Sequence, residues 1–590
     1  MTVNHLLFPA IILFFCYTGI ILFSQHLDKS DYRTNFIRLL KPVLLLAIII
    51  SLQENTEITS PSFVLAVLIG LFISFLFPVQ YHITHRSEPD GYSYPDNFSY
   101  GLFITDLLIS LEIIFLSLLS HELFAVLFTI IEFLLLIPSF FQLLFFFYYH
   151  ECISELAIKA LLDTNKLETK EFIRMVPSST KSLAIFFLIC ILIFMYKINA
   201  TAKPLFTFSP LLIAISIAIF YLLFINKKAL FRRTGLAALY MQVKTHKEKL
   251  RNSRLSSSEY PEDDTINSPL KNSSFGTVLL VIGESANRLH MKAFSDYQRE
   301  TTPWLSEKAA GKNIFLFPHA YSSWIQTPEA VKMALTNVNQ YCKVKADEEI
   351  SIVNIANKIG FKTWWYSAQG FSEEKSSDVT VIAEAAKEKR WLMQDYSVRQ
   401  YDEKLLDYLK NVENSQNNFV VIHLEGSHAE FQQRYPDFFE KWPYDKKDPY
   451  GSNPYDNSIL YTDYILSQIF AYSVEKLNLQ AMLYFSDHGS LIGQKRKSSF
   501  SGFEDTRIPL FVWLSDKYQN LYPQTANALR LHEQFYFTND LIFDLLCGIM
   551  QLEHPLHKPQ YDISSFSYQF TKDTLKTNLG KTTLAEDLYE

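Results

Sequence analysis

Acidic and histidine side chains follow two apolar runs of the chain. The run Thr277–Gly283 leads into Glu284, and a run ending at Ser486 leads into Asp487 and His488. Each run is short, unbroken and bounded by turn residues, which favours a parallel-sheet strand over a helix. Ligands bind at the carboxyl ends of such strands, and carboxylates with imidazole suit zinc or a similar divalent ion. Asp487 alone could simply cap its strand, but two acidic strand ends in one sheet predict a metal site.

Two histidines belong to a third apolar run and to the loop after it. His423 lies on the predicted strand, and His428 follows a Gly-Ser turn. A lone histidine is commonly a core or surface residue, and this is the plainer interpretation of His423. His428, beside a metal site, is better placed to meet a phosphate group or a second metal ion.

A nucleophile candidate stands before an apolar segment of helical period. Thr327 precedes Pro328, as a helix N-cap precedes a proline at the first helical position. The plain interpretation is a cap. The functional interpretation is that amide groups at the helix start stabilise an anion, while a metal lowers the pKa of the hydroxyl and produces an alkoxide. Ser322 and Ser323 are alternative nucleophiles.

The segments that must position these side chains alternate between strand-like and helix-like patterns. This alternation predicts a doubly wound, mainly parallel α/β sheet with helices on both faces. The predicted strands are Thr277–Gly283, Ile314–Phe317, Thr363–Ser367, Phe419–Leu424, Ala481–Ser486 and Pro509–Leu514. The predicted helices are Ala330–Leu335, Ile350–Ile359, Asp402–Leu409, Ile459–Ala471 and Asp540–Met550.

Residues 1–226 are rich in apolar runs and predict a multi-span α-helical membrane domain of about seven helices. The runs are Leu6–Phe23, Pro42–Leu52, Ser62–Val79, Leu102–Leu119, Leu123–Tyr149, Leu183–Tyr196 and Phe206–Phe224. Several are shorter than the roughly 17–25 residues of a spanning helix, so six or eight spans are also compatible. The first run lacks a basic segment before it and a cleavage site after it, which predicts an anchor rather than a signal peptide. Lys and Arg are spread over loops of both parities and leave the orientation open.

Polar segments flank the last apolar runs. Residues 227–254 are basic with a helical pattern, which predicts a helix on the membrane surface, with a solvated stalk as the alternative. Residues 256–274 predict a polar linker, so that 227–275 joins the membrane domain to a domain at 276–590. Residues 150–181 predict either a surface-lying amphipathic helix or an ordinary loop.

The overall composition excludes some classes of protein. A net charge of -7 and a pI near 6.1 give no reason to expect nucleic-acid binding. Five cysteines without a CxxC pair exclude a dense disulfide framework. Cys342 and Cys547 are the two in the polar half, and the sequence leaves open whether they pair.

Several stretches of the polar half resemble the lipopolysaccharide-modifying phosphoethanolamine transferases of the alkaline phosphatase and sulfatase superfamily. They are IGESANR at Ile282, RETTPWL at Arg299, QTPEAVKMALT at Gln326, GSHAEFQQRYP at Gly426, YDNSILYTD at Tyr455, SDHG at Ser486 and RIPLFVWLS at Arg507. Each stretch alone is modest support, but their order and spacing cover nearly all of residues 276 to 550 and are specific in series. The stretch DTNKLETKE at Asp163 resembles a motif in the family's membrane half.

The resemblance implies a multi-pass protein of the Gram-negative inner membrane with a sulfatase-like catalytic domain in the periplasm. It implies a zinc site formed by Glu284, Thr327, Asp487 and His488, with Thr327 as the nucleophile. The implied donor is phosphatidylethanolamine. The implied acceptor is lipopolysaccharide, either at a core sugar or at lipid A, and we expect a monomer.

The resemblance extends to residues around the zinc site. His428, and with less support His423, match histidines that lie near the phosphate or a second zinc. Asn287, Arg288 and Gln369 lie in matching stretches, and Asn287 and Gln369 are assigned to substrate binding.

The chain also departs from the family pattern. The usual SDHGE ends here in Ser490, and no histidine occurs between His488 and His532, where lipid A-modifying members often carry one. The usual Tyr-Gly-Tyr is replaced by Ser295-Asp296-Tyr297, and the disulfides that flank the nucleophile in the family are absent. These changes leave one zinc ion supported and leave the second ion and the acceptor open.

Two other functions stay open on the sequence alone. A hydrolase or another phosphotransferase of the same superfamily, for example one that transfers glycerol phosphate, would use the same zinc site with a different acceptor. A non-catalytic membrane scaffold would carry a degenerate site, which the retention of all four metal-site residues argues against.

Overall fold

A computed structural model of the chain describes residues 61–84, 94–149, 151–154, 157–158, 178–202, 210–225, 240–241, 243–245, 248, 265–271, 274–345, 348–369, 377–392, 400–414, 416–446, 448–493, 500 and 502–589. These residues fall into two compact units, with the division near residue 246.

Apolar helices make up most of the described part of the first unit. They are α1 (Pro61–Thr84), α2 (Tyr94–Leu118), α3 (His121–Tyr149), α4 (Ser178–Asn199) and α5 (Pro210–Ile225). Among the described residues, three segments are long and apolar enough to cross a membrane, namely Tyr100–Leu118, His121–Tyr149 and Ser178–Asn199. The first unit is therefore built as a membrane anchor with several spans.

These five helices coincide with the last five of the predicted apolar runs. The runs 6–23 and 42–52 lie outside the described residues, as do most of residues 150–181 and 227–264. The span count, the surface helices and the linker therefore stay predictions.

Small residues bring α1 and α2 close together. A side chain at Gly70 would collide with Thr105, and one at Gly101 would collide with Ser74 and the Gly70 carbonyl. The Ser74 and Thr105 hydroxyls donate to carbonyls of their own helices, over 2.8 Å and 3.0 Å. Close packing of this kind holds membrane helices together where lipid is as apolar as the helix surface.

The described part of the second unit is built around one mainly parallel sheet. Its strands are β1 (Thr277–Gly283), β2 (Ile314–Leu316), β3 (Ala320–Tyr321), β4 (Lys362–Ser367), β5 (Glu388–Trp391), β6 (Asn418–His423), β7 (Leu479–Ser486), β8 (Leu510–Leu514), β9 (Phe537–Thr538), β10 (Lys576–Thr577) and β11 (Thr582–Thr583). Seven strands form the sheet in the order β2-β8-β7-β1-β6-β4-β5. The five from β7 to β5 are parallel, whereas β8 runs antiparallel to β7 and β2 antiparallel to β8.

Helices cover both faces of this sheet. They are α6 (Pro303–Ala309), α7 (Thr327–Leu335), α8 (Ile352–Lys358), α9 (Asp378–Glu384), α10 (Leu405–Leu409), α11 (Ser452–Lys476), α12 (Asp516–Leu521), α13 (Pro523–Leu531) and α14 (Ile542–Ile549). The side chains of β1 alternate between two cores, with Leu280 and Ile282 in one and Leu279 and Val281 in the other. An unbroken apolar strand is what burial on both faces requires. The predicted doubly wound fold is confirmed.

The sequence patterns did not predict some of the elements. Strand β5 reads EKRW and lies at the edge of the sheet, where charged residues protect an exposed edge and hide the apolar alternation. Helices α6, α9, α12 and α13 have six to nine residues each, so an apolar period has little length in which to stand out.

Candidate active site

Two neighbouring parallel strands bring the acidic residues together. Gly283 of β1 pairs with Ser486 of β7, so Glu284 and Asp487 leave the sheet side by side. The amide of Asp487 donates to the Gly283 carbonyl over 3.1 Å. Glu284, Asp487 and His488 are all buried, and each offers a ligand atom within 4.8 Å of the others. We call these three residues the strand-end group.

Ser285 holds the strand-end group in a strained turn. Its φ of +57° lies in the left-handed region, which is uncommon for residues other than glycine. Its hydroxyl donates to Glu284 Oε1 over 2.6 Å, and its amide donates to Asp487 Oδ1 over 3.1 Å. A strained backbone conformation persists where the surrounding contacts hold it in place, and such conformations are concentrated at functional sites.

The ring of His488 is oriented by the main chain. Its Nδ1 atom lies 2.7 Å from the Gly489 carbonyl oxygen, which only accepts, so Nδ1 carries the proton. The Nε2 atom then turns its lone pair toward Glu284 Oε1 and Asp487 Oδ2, each 3.3 Å away. Asp487 Oδ2 has no hydrogen-bond partner among the described residues. These three atoms all present lone pairs to one another, an arrangement that fits a divalent cation. A bond from Nδ1 to a carbonyl oxygen commonly orients a metal-binding histidine.

The charges of the two carboxylates are strongly perturbed. Burial raises the pKa of Asp487 to about 7, and the neighbouring charge of Glu284 adds to this increase. Burial also acts on Glu284, but its neighbours His488, His428 and Ser285 hold its pKa well below the ordinary value. A divalent cation is the ligand that neutralises two adjacent carboxylates in a dry site.

Thr327 contacts the strand-end group from another segment of the chain. Its hydroxyl donates to Glu284 Oε2 over 2.9 Å and lies 3.4 Å from His488 Nε2. The predicted N-cap role of Thr327 is wrong, because α7 begins at Thr327 and Gln326 occupies the extended cap position. The hydroxyl is directed to the carboxylate rather than to an amide of its own helix.

The two alternative nucleophiles do not hydrogen-bond to the strand-end group. The Ser322 hydroxyl donates to the Trp324 carbonyl over 2.8 Å. The Ser323 hydroxyl is buried and has no hydrogen-bond partner in the described part of the chain. The contact with Glu284 therefore favours Thr327 over both serines.

The two histidines of the third apolar run and its loop, His423 and His428, lie near Glu284. His423 is the last residue of β6, is buried with its ring edge-on to Trp365, and its pKa is lowered to about 4 by burial. Neither of its ring nitrogens has a hydrogen-bond partner among the described residues. His428 lies near enough to Glu284 to help lower its pKa, and Arg434 donates to the His428 carbonyl over 3.1 Å.

Asn287 and Arg288 contact the protein itself. The Asn287 side chain donates to the Ser490 and Glu504 carbonyls and accepts from the Leu289 amide. The Arg288 guanidinium donates to the Ala320 carbonyl over 2.9 Å. These bonds tie the loop after β1 to neighbouring segments, and a substrate-binding role for Asn287 stays a prediction.

Gln369 contacts the candidate metal ligand directly. Its amide donates to Glu284 Oε2 over 3.3 Å and to the Leu424 carbonyl over 3.0 Å. Gln369 is therefore in a position to orient the Glu284 carboxylate. Partners of this kind tune metal ligands.

Sequence reasoning missed several residues that support the site. Asn539 donates to the Asp487 carbonyl over 2.8 Å and accepts from the Ser323 amide over 2.8 Å. Tyr455 donates to the Ser285 carbonyl and accepts from the Asn287 amide, over 2.8 Å and 2.7 Å. Each acts across a gap of 50 or more residues, so no local pattern could have indicated its partners.

The region of the altered Tyr-Gly-Tyr stretch is held by one buried carboxylate. Asp456 accepts from Tyr297 and Arg299, each over 2.7 Å, and lies 2.9 Å from Nδ1 of His290. Tyr297 thus keeps a role in the packing of this loop even though the two residues before it differ from the family pattern.

Known proteins are similar to parts of this chain. Residues 276–547 match the Sulfatase family model. YhbX of Escherichia coli K12 is 32% identical over 256 residues, which are 42% of this chain and 44% of that protein. Phosphoethanolamine transferase EptA of Helicobacter pylori is 28% identical over 314 residues, or 50% of this chain and 57% of that protein. The chain thus spans about half the length of these curated relatives.

A similar fold extends to a solved membrane protein. The integral membrane protein lipooligosaccharide phosphoethanolamine transferase A of Neisseria meningitidis superposes with a TM-score of 0.55 at 16% identity, over 86% of this chain and 98% of that one. Residues 276–547 therefore lie in a sulfatase-like α/β domain, which follows the apolar helices in the chain. Relatives named as phosphoethanolamine transferases are similar to this chain: EptA of Helicobacter pylori at 28% identity, and EptA of Escherichia coli K12 at 24% identity over 48% of this chain.

Proposed function

We propose that this protein transfers phosphoethanolamine from phosphatidylethanolamine to lipopolysaccharide, at a core sugar or at lipid A. The observation that carries the proposal is the contact of the Thr327 hydroxyl with a buried Glu284, Asp487 and His488 group. Relatives named as phosphoethanolamine transferases support the reaction class. A bacterial inner membrane location with residues 276–590 in the periplasm would give the site access to both lipid substrates.

The first step transfers the phosphoethanolamine group to the protein. The Thr327 oxygen attacks the donor phosphorus, and the hydroxyl proton passes toward Glu284 Oε2, to which it is already hydrogen-bonded. The bond between phosphorus and the diacylglycerol oxygen breaks, and that oxygen takes up a proton. Diacylglycerol leaves, and a phosphoethanolamine ester of Thr327 remains.

The second step transfers the group to the acceptor. A sugar hydroxyl of lipopolysaccharide attacks the same phosphorus and gives up its proton. The bond to Thr327 breaks, and the threonine oxygen regains a proton. The net change is one phosphoester bond exchanged for another, so no water is consumed.

One zinc ion fits the chemistry of the donor set. Glu284, Asp487 and His488 would hold it with the Thr327 oxygen, and the ion would lower the pKa of that hydroxyl and offset charge on the phosphoryl oxygens. His428 and His423 are proposed to lie against the phosphoryl group. Asn287 and Gln369 are proposed to support the substrate side of the site through the groups they orient.

The experiment uses the full chain in membranes that contain phosphatidylethanolamine labelled in its ethanolamine group. We expect label on Thr327 in the native protein, no label on it in Thr327→Ala, and normal labelling in Ser323→Ala. Mass spectrometry of lipopolysaccharide from cells with and without the protein is expected to show one added phosphoethanolamine unit. Labelled Thr327→Ala protein would contradict the assignment of the nucleophile, and labelled protein with unmodified lipopolysaccharide would contradict the acceptor.

A further inference from the structure

We propose that the C-terminal segment, residues 571–589, positions Thr327 for attack. This inference rests on the proposed function of Thr327. The segment lies beyond residues 276–547, which match the Sulfatase family model. Residues 321–327, which we call the nucleophile loop, are hydrogen-bonded to this segment at three points.

Two bonds reach the main chain of the nucleophile loop. The Thr577 hydroxyl donates to the Ser322 carbonyl over 2.7 Å, and both residues are fully buried. The Leu579 amide donates to the Ser323 carbonyl over 3.0 Å. Two consecutive carbonyls of the loop therefore depend on the C-terminal segment for their hydrogen bonds, and buried carbonyls without partners are costly.

A third bond reaches the side chain at the start of the loop. Tyr321 donates to Asp587 Oδ2 over 2.9 Å. Arg507 makes two bonds to the same carboxylate, over 2.9 Å from Nε and 2.6 Å from Nη2. The ion pair is buried on both sides, so Asp587 has a defined position from which to hold Tyr321.

The C-terminal segment is strained where it meets the loop. Asn578 and Leu579 have φ angles of +55° and +54°, in the left-handed region. Asparagine tolerates this region, whereas leucine is strongly disfavoured there. Leu579 is the residue whose amide bonds to Ser323, so the strained backbone coincides with the contact. Strain at such a position points to a function of the contact.

The loop is bonded on its other side to two segments outside the seven-stranded sheet. The Ser322 amide donates to the Thr506 carbonyl over 2.7 Å, and the Ser323 amide donates to Asn539 Oδ1 over 2.8 Å. Ser322 and Ser323, five and four positions before Thr327, are therefore held from both sides, and the C-terminal segment forms one of those sides. We call this arrangement a clamp. A displacement of about 1 Å at a reacting group can slow a reaction about 100-fold, so this clamp acts on turnover.

The main test compares Thr577→Val with Thr577→Ser in the full chain in membranes. Valine keeps the shape and removes the hydroxyl, whereas serine keeps the hydroxyl. We expect valine to lower kcat about tenfold, the effect of one modest bond on the barrier. The KM for the donor and the bound zinc should be unchanged, and serine should restore kcat.

A matched control lies in the same segment. Thr574 is exposed, and its hydroxyl bonds within the segment to the Thr571 carbonyl, so Thr574→Val should leave kcat unchanged. A second variant, Leu579→Gly, removes the strain and keeps the amide. It should have an equal or higher thermal midpoint, because glycine adopts a positive φ without strain.

A readout without substrate separates this inference from the proposed function. Hydrogen exchange followed by mass spectrometry should be faster in residues 320–330 of Thr577→Val than of Thr577→Ser. Equal exchange and equal kcat in the two variants would overturn the inference. Native protein that takes no label on Thr327 would instead overturn the proposed function, and the exchange result would still decide whether the segment holds the loop.

Discussion

The strand-end group and the nucleophile loop face each other across the site, yet they are built in different ways. Glu284 and Asp487 follow two neighbouring strands in register, so the sheet itself sets their separation. Thr327 follows a loop whose position depends on bonds from Thr506, Asn539 and the C-terminal segment. The register of two parallel strands fixes the positions of the residues that follow them. The position of a loop depends instead on its hydrogen bonds to other segments. Metal binding and nucleophile placement should therefore fail independently.

The largest effect is expected from a change in the strand-end group. Glu284→Gln keeps the size of the side chain and removes the charge that a cation requires. We expect bound zinc to fall to background and turnover to fall about 1,000-fold or more, since a metal supplies several kcal/mol of transition-state stabilisation. Metal content by mass spectrometry of the purified full chain and phosphoethanolamine transfer in membranes measure the two effects.

The matched variant is Thr327→Ala, which should lose turnover and keep its zinc. Retention of zinc in Glu284→Gln would contradict the metal site. Loss of zinc in Thr327→Ala would show that the two parts of the site do not fail independently.

An intermediate effect is expected where the two parts are joined. Asn539 bonds to the Asp487 carbonyl with one end of its amide and to the Ser323 amide with the other. Asn539→Ala leaves both groups buried without a partner, each at about 1–3 kcal/mol. We expect a loss of kcat of about 100-fold with a smaller change in zinc content. Asn313→Ala, at the edge strand β2, is the control, and equal kcat in the two variants would contradict the bridging role.

The smallest effect is expected from a change in Gln369, which contacts the metal ligand Glu284. Gln369→Ala removes the amide that bonds to Glu284 Oε2 and leaves the ligands in place. Loss of such an outer partner lowers metal affinity about 10-fold to 100-fold, and we expect the lower end because Ser285 also bonds to Glu284. Zinc titration with a competing chelator measures this. Gln480→Ala, whose amide bonds at the opposite end of β7, should bind zinc as the native chain does. If Gln369→Ala bound zinc as tightly as the native chain, the orienting role would be contradicted and the predicted substrate-binding role of Gln369 would be favoured.

The sequence was sufficient for six of the seven strands of the sheet and for the residues at its carboxyl edge. The run TVLLVIG predicts β1 with the bounds that the structure has, because burial on both faces demands an apolar side chain at each position. Glu284 and Asp487 could be paired in advance, because parallel strands end at the same edge of a sheet. The charged edge strand β5 and the short helices gave no such signal.

Residue type and spacing by themselves determined the class of fold, the acidic strand ends and the candidate nucleophile. Tertiary structure decided which groups meet. The Thr327 hydroxyl bonds to Glu284 instead of capping α7, and Gln369 orients a ligand. Asn539, Thr577 and Asp587 hold a loop more than 200 residues away from them in the chain. The physical reason is that burial leaves a periodic mark on a local stretch, whereas a hydrogen bond between distant segments leaves none.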